Sequence, residues 1–236
     1  MSNPLLKDKF FLAPLKSTEV MTLTGTLNKS IVLWICLSIS GFYSWTHPNI
    51  IVPLLFPILI VAITSATISI FKQTTSPFLS PIYAMSEGFL LGTISLYFEK
   101  IHHGIVLNAT LLTICALFCM LAAYKTGILK ATSRFKKVII FSTFAVALVY
   151  IINFLLNFFG FTNFSYISNS STLSIVINFT IAVIASLNLI IDFDLIENAT
   201  RIGVPKHMEW YSAFSLMVTI VWLYCELLRF ISKLRD

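Results

Sequence analysis

SIVLWICLSISGFYSWTHPNIIVPLLFPILIVAITSATISIF, residues 30–71, contains no Asp, Glu, Lys or Arg. A helix that crosses a bilayer needs about 20 apolar residues, so the stretch is long enough for two. His47-Pro48-Asn49 interrupts it, and a proline after a polar residue marks a turn. The stretch therefore predicts spans over 29–46 and 50–71. Outward from it the same reading repeats. A polar link covers 72–81, and a third span runs over 81–98 to Glu99-Lys100. A fourth covers 105–124, and the basic segment 125–137 follows. Residues 138–191 are again free of charge and too long for one span. The Asn- and Ser-rich stretch 160–171 divides them into spans over 138–159 and 172–195. Gly203 and Pro205 break the polar segment 197–209, and a last span covers 210–231. The expected fold is an all-α membrane protein with seven transmembrane helices. Residues 1–28 form a cytoplasmic N-terminal arm and 29–236 a single seven-helix domain.

Composition requires the same class. The chain has 16 Lys and Arg and 10 Asp and Glu among 236 residues, and 57% of it is hydrophobic. Soluble domains carry roughly a quarter charged residues to keep a solvated surface, and this chain cannot. Lipid solvates apolar helices directly. The net charge of +6 sits in short stretches between apolar runs, which is the pattern of membrane loops, not of a nucleic-acid platform. No nucleic-acid partner is expected. Cys36, Cys115, Cys119 and Cys225 all fall inside spans and read as small buried packing residues. Cys115 and Cys119 stand one turn apart, but no third metal ligand lies near them in the sequence.

Charge asymmetry orients the chain. If the N-terminus is inside, that side holds Lys7, Lys9, Lys16, Lys29, Lys72, Lys125, Lys130, Arg134, Lys136, Lys137, Arg201 and Lys206. The opposite side holds Lys100, Arg229, Lys233 and Arg235. The basic excess places the N-terminus in the cytoplasm. The C-terminal basic residues disagree, so the last span is the one whose crossing charge supports least.

Ionisable groups within spans are costly and functional by default. The candidates are Glu87 in the third span, Asp192 and Asp194 in the sixth, and Glu226 in the seventh with Arg229 a turn later. Asp192 and Asp194 lie about 200° apart on a helix and cannot share a face. Asp192 is the deeper and the better interior group. With the last two spans antiparallel, Asp192 and Glu226 are expected at similar depth, where two close carboxylates would share a proton. Pairing of Glu226 with Arg229 at i, i+3 is the plainer alternative. Glu87 lies beside Gly88 and Gly92, a small-residue face suited to close helix packing, and a purely structural hydrogen-bonding brace is the alternative to a functional role there.

Five stretches carry a resemblance: PIYAMSEGFLLG (81–92), YKTGILK (124–130), LNLIIDFDLIE (187–197), MEWYSAF (208–214) and WLYCELL (222–228). In this order and spacing they resemble the transmembrane Bax inhibitor motif (Bax inhibitor-1) family, in its bacterial branch. The resemblance implies a seventh helix at the centre of six others and a multi-pass bacterial inner-membrane protein. It also implies a pH-dependent calcium leak controlled by two facing acids on helices six and seven. The helix-six acid of the family matches Asp192 and the helix-seven acid matches Glu226, which makes both candidate calcium ligands. Asp194 and Arg229 depart from the family pattern, and residues 50–71 lack the arginine expected in helix two.

The leading expectation is therefore a passive cation leak, with calcium or protons as the mobile species and no bound cofactor. Asp192 and Glu226 would gate it, with Asp194, Glu87 and Arg229 as accessory groups. Hard Ca²⁺ prefers several oxygen donors, and these acids would offer them with carbonyls and water. The other class is a non-transporting regulator that binds other membrane proteins, such as proteases or cell-death components. An enzyme is not expected: the chain has no Gly-x-Ser-x-Gly, no His-Glu-x-x-His and no Gly-x-Gly-Asp motif.

Overall fold

A computed structural model of the chain describes residues 19–159 and 172–235. Seven long helices occupy them: α1 (Leu23–Thr46), α2 (Pro48–Phe71), α3 (Ser76–Ile101), α4 (Ile105–Lys125), α5 (Ser133–Phe158), α6 (Thr172–Ile202) and α7 (Met208–Arg235). The dividing stretch 160–171 and residues 1–18 of the expected arm lie outside the described residues.

Local chemistry sets the helix ends. The Thr22 hydroxyl accepts from the Gly25 amide at 2.9 Å and caps α1. The helix thus starts inside the segment expected to be an arm, at Leu23. Pro48 opens α2, where a missing N–H costs nothing, and a tight turn at Val52–Leu54 follows. α3 starts five residues before the expected Pro81 and carries that proline within it. Thr132 caps α5, so Arg134, Lys136 and Lys137 belong to its first turns rather than to a loop. α6 runs on through Glu197 and Arg201 to Gly203, whose φ of +75° ends it.

Six of the helices are long and apolar enough to cross a bilayer; α3 is the exception. Ser76, Ser80, Ser86, Gly88, Gly92 and Ser95 dilute its hydropathy, and all are buried. Its small residues allow close approach to α1. A Cβ on Gly88 would lie 2.3 Å from the Leu37 carbonyl, and one on Gly92 2.3 Å from that of Gly41. Ser44 then bonds the Phe89 carbonyl at 2.9 Å and the Thr93 hydroxyl at 2.7 Å across the same contact.

α7 packs against α1, α3, α4 and α6, while α2 rests on α3 and α5 on α6. Tyr83 of α3 meets Phe214 of α7 edge-on, with ring centroids 5.0 Å apart. Large side chains such as Phe42, Phe56, Phe71 and Phe141 point outward, where a soluble protein would not tolerate them together. Cys115 and Cys119 are exposed on this outer surface, against expectation, while Cys36 and Cys225 are half-buried and pack against the core.

The two ends of the bundle are distinct. At one end Met21 donates to the Val204 carbonyl at 2.8 Å, and Lys206 pairs with Glu19. Tyr124 reaches Glu197 from α4 at the same end. At the other end Arg235 donates to the His103 carbonyl at 2.8 Å. α7 therefore runs the full length of the bundle, with its basic terminus at the end opposite the α4–α5 turn.

Candidate functional site

Asp192 is buried between α6 and α7, with 7% of its surface exposed. Its Oδ1 accepts from the Ser215 hydroxyl of α7 at 2.8 Å, and its Oδ2 is buried without a partner. Thr219, a turn beyond Ser215, bonds the Ser215 carbonyl at 3.3 Å. The groups that α7 presents to Asp192 are thus hydroxyls.

Glu226 is 1% exposed but belongs to another cluster. Its Oε1 accepts from Tyr150 of α5 at 2.7 Å, from Trp222 at 3.1 Å and from Arg229 at 3.4 Å. Arg229 also donates to the Tyr150 oxygen at 3.1 Å, and its guanidinium stands 5.3 Å from the centre of the Tyr150 ring. Ser215 and Glu226 are three turns apart on α7, about 16 Å along the axis at 1.5 Å per residue. Asp192 and Glu226 do not meet, and the expectation of similar depth is corrected. They cannot ligate one calcium ion together. Among the described residues no three His, Cys, Asp or Glu side chains converge on a metal-sized space.

The remaining candidates separate as well. Asp194 turns away from Asp192 to pair with Lys136 of α5, and Asn198 donates to it at 2.8 Å. Glu87 is half-buried on α3 and faces Tyr83 one turn earlier. Arg229 is the partner of Glu226, as the plainer alternative had it.

Sequence reading missed two polar groups. Glu209, 2% exposed, accepts from the Thr22 amide and the Thr22 hydroxyl, both at 3.0 Å. It therefore ties the start of α1 to the start of α7 with a carboxylate placed where the helix dipole favours one. The flanking Glu19 carboxyl is held below the ordinary glutamate range by its hydrogen bond to Lys206; that pair is exposed and adds little stability. Tyr150 was hidden in an uncharged run, and a lone hydroxyl amid Val, Ile and Leu was its only signal.

An apolar groove of about 770 Å³ opens between α1, α3, α4 and α7, lined by Trp34, Gly41, Gly92, Thr113, Val221 and Tyr224. None of the five candidate acids and bases lines it.

A search of curated proteins finds no match to the chain. A family model described as "Bax inhibitor 1 like" matches residues 3–236, nearly the whole chain. With its apolar helices and lipid-facing surface, the chain is a multi-pass integral membrane protein in contact with the bilayer, and it belongs to the Bax inhibitor 1 like family.

Proposed function

We propose that this protein forms a pH-sensitive passive cation leak, for calcium in the first instance, and that Asp192 is its titrating group. α3 crosses with the six more apolar helices, which gives seven spans with α7 at their centre. The protein sits in a bacterial inner membrane with its N-terminus in the cytoplasm, the side that collects most Lys and Arg. It carries no bound cofactor and catalyses no covalent reaction.

The observation that supports the reading is the state of Asp192. It is a carboxyl group buried in a span, held by one hydroxyl, with its second oxygen unpartnered. Such a group persists in a membrane helix at a stability cost, and ion pathways are where that cost is repaid. Ser215 and Thr219 differ from a second acid in what they permit. The Ser215 hydroxyl can bond either protonation state, so a proton on Asp192 removes charge without breaking the α6–α7 contact. A passing hard cation would meet the Asp192 oxygens, the Ser215 hydroxyl, water and carbonyls. Glu226, already held by Arg229, Tyr150 and Trp222, stays outside the gate.

Calcium flux into liposomes containing the purified protein tests this. Flux that varies with pH is expected for the wild type, with that dependence lost in Asp192→Asn and kept in Glu226→Gln. No flux from the wild type, or an unaltered pH profile in Asp192→Asn, would overturn it. A second reading, a non-transporting regulator of other membrane proteins, is favoured by the groove between α1, α3, α4 and α7, whose apolar lining suits side chains of a partner. That reading predicts no flux and a bound partner that Thr110→Trp, filling the groove from its exposed α4 wall, displaces.

A further inference from the structure

Helix α5 carries a line of polar residues at a fixed interval. Lys136, Thr143, Tyr150 and Asn157 recur every seven residues, and Ile139, Val146 and Asn153 fill the positions between them. That alternation of three and four residues draws one seam along a helix. Each of the first three polar residues has a partner on α6 or α7. Lys136 pairs with Asp194; the Thr143 hydroxyl accepts from Asn188 at 2.9 Å; Tyr150 donates to Glu226 at 2.7 Å. Asn157 continues the line by donating to Asn153 at 2.8 Å. From Lys136 to Asn157 the helix rises about 31 Å at 1.5 Å per residue, against a hydrocarbon core about 30 Å thick. The polar line therefore crosses the whole apolar layer.

Interhelical hydrogen bonds alone would make such a line glue between helices. Three features point further. Ile139 and Val146 are the only buried apolar residues of α5 among those described, so little packing excludes water from the seam. The charged side chains in it are part-exposed: 27% for Lys136, 17% for Asp194 and 42% for Arg229. Ionised groups in that state are tolerated at membrane depth where water reaches them. Finally, Glu226 keeps Oε2 buried and unpartnered within it, an acceptor aimed at a donor that no side chain provides.

We propose that the seam between α5 and the α6–α7 pair is a hydrated crevice through the membrane, and that it is the route the cation takes. What moves rests on the leak reading; that the seam is wet does not. Asp194 and Asn188 line the crevice, and Asp192, one helical turn after Asn188, borders it where it accepts from Ser215 and sets how α6 sits against α7.

Single cysteines in a background where Cys36, Cys115, Cys119 and Cys225 are replaced by Ser provide the test, carried out on the full chain in liposomes. Thr143→Cys and Val146→Cys probe the seam, and Tyr150→Cys extends it where the variant folds. Phe141→Cys, Phe144→Cys and Leu148→Cys probe the lipid face, where these residues are exposed. A hydrophilic cationic methanethiosulfonate is expected to react at least tenfold faster at the seam positions than at the lipid positions. Calcium flux is expected to fall at least fivefold once Thr143→Cys or Val146→Cys is modified. Equal reactivity on both faces, or none in the seam, overturns the crevice and leaves the polar line as glue. Flux unchanged by a seam adduct overturns the route. A reactive seam in a protein with no calcium flux upholds the crevice and removes the calcium reading instead.

Discussion

Gly25 has no room for a side chain. A Cβ there would sit 2.0 Å from Oε1 of Glu209, whose carboxylate already caps the start of α1. Gly25→Ala is expected to push Glu209 off Thr22 and destabilise the protein by about 1–3 kcal/mol, the range for a lost buried polar contact. Glu209→Ala should cost a similar amount alone. The double variant should cost clearly less than the sum, because the second change removes the clash made by the first. Thermal unfolding of the detergent-solubilised protein measures all three, and strict additivity would separate Gly25 from Glu209. The acids show which site information the chain itself carries. Burial of Asp192 follows from its place in an apolar run, and its divergence from Asp194 from helical geometry. The separation of Asp192 from Glu226 was readable too. Asp192 lies ten residues before the end of α6 and Glu226 eighteen after the start of α7, so antiparallel packing sets them at different depths. What no residue count reveals is that Ser215 and Thr219 are the groups opposite Asp192.

Helix ends were less legible than helix existence, for a physical reason. Hydropathy falls where charge begins, but hydrogen bonding does not stop there. α6 continues for two turns past Asp194 because Glu197 and Arg201 pair at i, i+4 and the first strong stop is Gly203. α5 begins a turn and a half before its apolar run because Thr132 supplies a cap. α3 shows the converse: its seryl and glycyl content lowers hydropathy, and those residues form its contact with α1. Gly88 and Gly92 announced a close approach, while the partners Leu37, Ser40 and Gly41 are visible only in the assembled bundle. Gly88→Ala is accordingly expected to be worse than a propensity scale suggests. Its Cβ would meet backbone at 2.3 Å, which cannot rotate away, and α1 and α3 must separate. A loss of about 1–3 kcal/mol is expected, as for overpacked interiors. Ala145→Gly, at an exposed position within α5, serves as a helix-propensity control worth about 1 kcal/mol. A Gly88→Ala protein as stable as wild type would remove the close α1–α3 contact from the fold.

At the scale of the molecule, the question left by charge counting is whether α7 crosses. Its Arg229, Lys233 and Arg235 belong by the basic-excess rule on the side of Lys125 to Lys137, yet they lie at the other end. Local partners account for the exception. Arg229 is neutralised by Glu226 and stacked on Tyr150, Lys233 bonds Ser174, and Arg235 bonds the His103 carbonyl. Cations with these partners are held at that end by the fold, and the orientation rule is a bias of the whole Lys and Arg count that one segment can break. α7 also cannot turn back without exposing Met217, Leu223 and Leu228, all buried against neighbouring helices. On the proposed seven-span reading, the start of α1 and the end of α7 lie on opposite sides of the membrane. Lys130→Cys in the α4–α5 turn and Leu234→Cys at the end of α7, each in the cysteine-free background, read it directly. In sealed right-side-out vesicles an impermeant maleimide is expected to label Leu234→Cys at once and Lys130→Cys only after permeabilisation. Labelling of both from one side would mean that α7 re-enters, and would dissolve the buried seat of Glu226 along with it.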